Sequence, residues 1–185
     1  DKRIRFHYTG YDGHGRRVLR RGGAWYDVSP YALLWDDENY YLIAYDAEAD
    51  RVKHYRVDKM KRITLLEVPR LGQERMARFD PAVYTQRLFG MYGGQPVRVT
   101  LEGENEMVGV LIDRFGKEVP VLPVDGAHFQ AFVDVAVSPQ FLGWVAGLGG
   151  GLRIVSPEPV VQKMQALVQR LAEQYCAPDG DKTSV

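Results

Sequence analysis

Alternation dominates the first third of the chain. Ile4, Phe6 and Tyr8 alternate with Arg5 and His7, the period of a half-buried strand. Tyr11 to Gly15 is a turn, Arg16 to Arg21 a short basic segment, and Gly22-Gly23 a break. Trp25 to Trp35 is apolar and aromatic, and Pro30 inside it predicts a bend or an edge. Tyr40 to Asp46, Arg51 to Asp58 and Ile63 to Val68 complete a series of short strands separated by turn residues, the signature of a small barrel.

A different rhythm follows a connector. Asp80-Pro81 signals a helix start, with an expected end at Gly90. Then come a strand at Val97–Leu101 and a helix at Glu106–Phe115 stopped by Gly116. Two strands, Val119–Val124 and Phe129–Val137, join at Asp125-Gly126. Ser138-Pro139 caps a helix, Leu152–Val155 is a strand, and Ser156-Pro157 caps a last helix with an apolar stripe from Val161 to Leu171. The order β-α-β-β-α-β-α predicts a ferredoxin-like sandwich with an extra helix. The expected fold is thus α+β: a small Sm-like or SH3-like barrel at 1–68, a connector at 69–95, the ferredoxin-like part at 96–177 and a tail at 178–185.

The 185 residues suffice for one large domain or two small ones. No apolar run is long enough to span a membrane, and the N-terminus has no signal-peptide pattern. The chain lacks a leading Met and reads as a piece of something longer. A single cysteine, Cys176, fits a reducing cytoplasm. Formal charges cancel, but residues 1–78 hold 16 Lys+Arg against 12 Asp+Glu (+4) and residues 79–185 hold 8 against 12 (−4). That excess suits an anionic partner or an ordinary solvated surface.

Catalytic signatures are missing: the sequence has no GxSxG, HExxH, CxxC or GxxxxGK[ST]. The four histidines lack metal-ligand spacing, so neither metal nor cofactor is expected. Gly147 to Gly151 is no phosphate loop, because a helix precedes it and a strand follows. One constellation remains. Tyr41 shares a face with Ile43 and Tyr45, His54 and Arg56 share a face of the next strand with Lys53 on its reverse, and Arg5 and His7 point together from the first strand. Aromatics stack on bases and Arg forks bind phosphate. Strand aromatics are equally ordinary core residues, and edge-strand cations block aggregation.

Residues 1–68 resemble the WYL domain of bacterial regulators. The motif tripeptide reads Tyr40-Tyr41-Leu42, Tyr26 to Leu33 matches the strand leading to a Pro, and Lys53-His54-Tyr55-Arg56-Val57-Asp58-Lys59-Met60 matches the family's basic strand. Residues 97–175 resemble the WCX extension, most clearly at Val137 to Val145 and Ile154 to Pro157. The resemblance implies an Sm-like or SH3-like barrel, and a ligand-sensing switch in a regulator with an N-terminal helix-turn-helix. It further implies a nucleotide or single-stranded nucleic acid effector, contact with duplex DNA only through the absent domain, and a homodimer. Carried onto this chain, the ligand contacts are Tyr41, Lys53, His54 and Arg56, with Arg5, His7 and Ser29 added by strand geometry. Tyr40 replaces Trp, and Lys53 stands where Arg is usual, which loses bidentate phosphate geometry. Two rivals stay open. One is a dimerisation or interaction module without a ligand. The other is an enzyme acting on a nucleotide, resting on a meeting of His7 with His54.

Overall fold

The computed structural model describes residues 1–36, 38–77, 89 and 96–176. The chain divides into two compact units, Asp1–Gly93 and Gly94–Val185. No helix among the described residues is long and apolar enough to cross a membrane.

The first unit is a bent antiparallel sheet of six strands: β1 (Lys2–Tyr11), β2 (Arg17–Leu19), β3 (Trp25–Asp36), β4 (Asn39–Asp46), β5 (Arg51–Arg56) and β6 (Met60–Pro69). β1 is central, pairing with β3 and β6 along its length and with β2 at its end, and β3-β4-β5 continue the sheet. Among the described residues no ladder joins β5 to β6, so the sheet of the expected small barrel is open on that side. A single 3-10 turn, Val57–Lys59, leads from one to the other.

Alternation decides which side is inside. Ile4, Phe6, Tyr26, Val28, Leu42, Ala44, Tyr55 and Met60 form the core on the inner face. Phe6 stacks on Tyr26 at 5.6 Å and meets Tyr55 edge-on at 5.1 Å, geometries that aromatic quadrupoles favour. The basic segment is split between a short strand, Arg17–Leu19, and a 3-10 turn, Arg20–Gly23, with Arg21, Gly22 and Gly23 at positive φ. β6 starts three residues earlier than expected because long β1 offers it partners from Lys2 to Tyr8.

Pro30 bends β3 as expected. The β3–β4 register slips between Pro30 and Ala32, leaving Tyr31 as the extra residue of a bulge. The bulge aims Tyr31 at the connector, where its hydroxyl donates to the Leu71 carbonyl at 2.8 Å. A one-turn helix, α1 (Gln73–Met76), follows. The helix expected at 81–90 and the expected tail lie outside the described residues.

The second unit is α+β. Its elements are β7 (Pro96–Glu104), α2 (Val108–Phe115, after a 3-10 turn at Asn105–Met107), β8 (Val121–Pro123), β9 (His128–Ala136), α3 (Pro139–Gly147), β10 (Leu152–Ser156) and α4 (Glu158–Tyr175). The sheet order β10-β7-β9-β8, all antiparallel, is the one a split β-α-β-β-α-β chain produces. Val99, Leu101, Phe129, Val133 and Ile154 bury one sheet face, and Leu111, Phe141 and Val145 supply the buried positions of α2 and α3. The Ser138 hydroxyl accepts the Phe141 N–H at 3.2 Å, the expected N-cap. Ser156 does not cap α4. Its hydroxyl donates to Thr100 Oγ1 at 2.8 Å, and Pro157 occupies the cap position without a side-chain bond. Only Val160 of α4 is buried, while Val168 and Tyr175 are 54% and 77% exposed.

Candidate ligand-binding face of the first unit

Register places the candidate residues. Ser29, Tyr45 and Val52 stand side by side on β3, β4 and β5. Four residues along β4 from Tyr45, Tyr41 faces Arg56; two residues along, Ile43 faces His54. In the other direction, two residues along β3 from Ser29, Asp27 faces Arg5, and four along, Trp25 faces His7. All these side chains lie on the face opposite the Phe6 cluster, because alternation from that set puts them there, and on this face Ile43 and Ser29 are themselves buried. Rows for Arg5 and His7 are therefore six and eight residues from the Arg56 row by way of β3 and β4, while on the open side of the sheet His7 pairs with Lys61, which follows Arg56 after the single turn into β6. The outer face carries two clusters, and His7 and His54 fall in different ones.

The first cluster is built on Arg56. Its backbone N–H donates to the hydroxyl of half-buried Tyr8 at 3.0 Å, so the core fixes the strand at this point. Its guanidinium grips Asp58 through Nε and Nη2, at 3.0 and 3.1 Å. That hydrogen bond, with the opposite charge beside it, holds the Asp58 carboxyl below the usual carboxylate range and the Arg56 guanidinium above its own. Tyr41 and His54 flank Arg56 on the same face, both half-buried.

Lys53 lies on the other face. It pairs with Asp46 at 2.5 Å, and the two side chains are 18% and 6% exposed. Asp46 also accepts the Ala49 N–H at 3.0 Å and the Tyr55 hydroxyl at 3.4 Å. Burial acts to raise the Asp46 carboxyl, but the Lys53 ammonium and the backbone donors outweigh it, and the group sits below its ordinary range. Burial and the Asp46 charge together push the Tyr55 phenol far up, so it stays protonated.

Ser29 lies between the clusters and is buried. Its Oγ accepts the Leu71 N–H at 2.8 Å, and Arg70 donates to the Pro30 carbonyl at 2.8 Å while lying over the Tyr31 ring. Gly72, at φ +82°, passes directly over Tyr45; a Cβ there would sit 2.4 Å from the ring. The connector is thus strapped across the middle of the face. A recess of about 350 Å³ opens beside it, lined by Tyr45 and residues 70–75.

The second cluster holds Arg5 and His7, and two residues that sequence reasoning passed over. Asp27 grips Arg5 at 3.1 and 2.9 Å. Trp25 stacks on His7 at 3.7 Å between ring centroids, with the Arg5 guanidinium 5.4 Å from the Trp25 ring. Trp25 is easily missed, since a tryptophan opening an apolar strand reads as core. Among the described residues no group of three or more His, Cys, Asp or Glu could hold a metal ion.

The WYL domain model matches residues 1–65 and the WCX domain model residues 95–172. This chain is a WYL-domain protein with a WCX extension. No curated protein matches it. Among solved structures, it is similar to proteasome accessory factor B/C (PafBC) of Arthrobacter aurescens, at 21% identity over 94% of this chain and 25% of that one, TM-score 0.41. It is also similar to a CRISPR Cas-related protein, at 16% identity over 95% of this chain and 48% of that one, TM-score 0.52. The second likeness is one of fold. The WYL–WCX chain spans about a quarter and about half of these two proteins' lengths.

Proposed function

We propose that this WYL–WCX chain is the effector-sensing part of a bacterial transcription regulator, working in the cytoplasm. It would bind an anionic ligand, a nucleotide or single-stranded nucleic acid, and so alter DNA binding by a helix-turn-helix domain outside these residues. The first unit is read as an Sm-like barrel left open between β5 and β6, with the WYL part at 1–68, a connector at 69–95 and the WCX part at 96–177. The observation that carries this reading is the Arg56 cluster. A WYL domain presents a guanidinium, an imidazole and a phenol on one outward face, with the arginine's strand pinned by Tyr8. A planar fork and an aromatic side chain suit phosphate and base together. Binding that favours one of two arrangements is enough for a switch, and no catalytic group is assigned.

Lys53 supports the site from behind, through Asp46 and the strand pair, while Tyr41, His54 and Arg56 make the contacts. Fluorescence anisotropy of labelled single-stranded DNA and RNA tests this. Salt-sensitive binding that weakens in Arg56→Ala and His54→Ala is expected. Unchanged affinity in both variants removes the site.

A second reading, a dimerisation module, is favoured by α4, whose apolar stripe is half-buried at Met164 and Leu167 and exposed at Val168, Leu171 and Tyr175. A homodimer formed through this helix predicts twice the chain mass by light scattering at micromolar concentration. A monomer counts against it.

A further inference from the structure

The Arg5 cluster has a makeup that hydrophobic packing does not account for. Trp25 lies outside the core set yet stacks on His7 at 3.7 Å, with 29° between the rings. It remains 41% exposed although His7 covers part of it. His7 is immobilised beneath it, and its Nδ1 is buried without a hydrogen-bond partner among the described residues. Arg5 is held rigid beside the ring by two bonds to Asp27. An aromatic plane supported from below and fenced by a fixed guanidinium is a prepared stacking surface, in which little side-chain entropy is left to lose.

The charge around it has a sign. Across β6, β1 and β3 the outward positions are Lys61 and Thr64, then Arg3, Arg5 and His7, then Trp25 and Asp27. Three cations face one carboxylate, which Arg5 already occupies. Lys61 is exposed and Arg3 half-buried, and neither has an ion-pair partner among the described residues. Stacking plane plus unpaired cations is the combination that holds single-stranded nucleic acid, where any base can lie on the ring while backbone phosphates meet the lysine and arginine.

We propose that Trp25 is a base-stacking shelf for one nucleotide of a single-stranded nucleic acid, with His7 as its support and Arg3 and Lys61 as its phosphate contacts. This deepens the effector reading above and rests on it for the class of ligand.

The experiment uses the whole chain and a 5′-fluorescein dT15 strand, alongside the same strand with every base removed, titrated by anisotropy at low salt. Wild type, Trp25→Ala, Trp25→Phe, Arg56→Ala and the double variant Trp25→Ala/Arg56→Ala are compared, with circular dichroism checking that each is folded. The shelf predicts that Trp25→Ala weakens dT15 binding roughly tenfold, the usual scale for one stacked base, and that Trp25→Phe retains most of it. It predicts that the abasic strand binds Trp25→Ala and wild type alike, since there is no base to stack. Equal dT15 affinity in wild type and Trp25→Ala overturns the shelf; if Arg56→Ala still weakens binding, the effector site survives that result. Loss in Trp25→Ala with none in Arg56→Ala upholds the shelf and removes the Arg56 site instead. Failure of wild type to bind dT15 at low salt overturns the shelf outright.

Discussion

Removing the Asp46 carboxylate is expected to cost far more than an ordinary ion pair. Asp46 is 4% exposed and lies at the end of the inner face, with Lys53, the Ala49 N–H and the Tyr55 hydroxyl all directed at it. In Asp46→Ala these three donors lose their acceptor in partly dry surroundings. Breaking one partner of a buried pair costs about 3 to 5 kcal/mol, and the residual exposure of Lys53 lowers the expectation here to about 2 to 3 kcal/mol. For a unit of this length, that corresponds to roughly 10 to 20 °C in melting temperature. The pair has a sign in pH as well. The folded-state carboxyl lies below its unfolded value, so its contribution is complete above the ordinary carboxylate range and is lost as pH falls through the folded value. Urea unfolding followed by tryptophan fluorescence in a Trp144→Phe background reads the first unit through Trp25 and Trp35. The double variant Asp46→Ala/Lys53→Met should regain part of the loss, because it removes the stranded ammonium. A cost below about 0.5 kcal/mol, the scale of an exposed pair, or additivity of the two changes would refute the reasoning.

Other perturbations follow from the same geometry. Gly72→Ala puts a methyl 2.4 Å from the Tyr45 ring at a positive φ; the strap should lift, and limited proteolysis should cut near residues 70–76 faster than in wild type. Ser29→Ala leaves the Leu71 N–H without its acceptor at a part-buried site and should destabilise the first unit by about 1 kcal/mol in urea unfolding. In the second unit, a Cβ at Gly103 would meet the Gly151 carbonyl at 2.7 Å and Leu152 Cδ1 at 2.8 Å, so Gly103→Ala should lower that unit's melting temperature, read by circular dichroism, with the first unit's transition unmoved.

Much of the strand order was legible because alternation and turn residues are local. Ile4 and Phe6 could be recognised as inward without knowing their partners. Pro30 announced the bulge, since proline has no N–H for a ladder. The Ser138-Pro139 start of α3 was readable for the same local reason, whereas Ser156 looked like a cap and proved to be bound to Thr100 across the β10–β7 pair. The site was legible by face and not by row. Alternation puts Arg5, His7, His54 and Arg56 on one side, but their spacing along the sheet depends on the register of β3 against its two neighbours. That register is set by the bulge and by core packing far away in sequence. Asp27 and Trp25 escaped notice because their importance lies in what stands opposite them on β1.

Two of the outward arginines already hold a carboxylate, Arg5 through Asp27 and Arg56 through Asp58. A phosphate arriving at either position must displace an oxyanion tethered beside it, so the exchange is anion for anion. The freed aspartate then gathers counterions from the buffer, offsetting part of those the nucleic acid gives up. The dependence of affinity on salt should therefore be shallower than the count of basic residues implies. Stray polyanions, which bring charge without a base to stack, gain little at such a face.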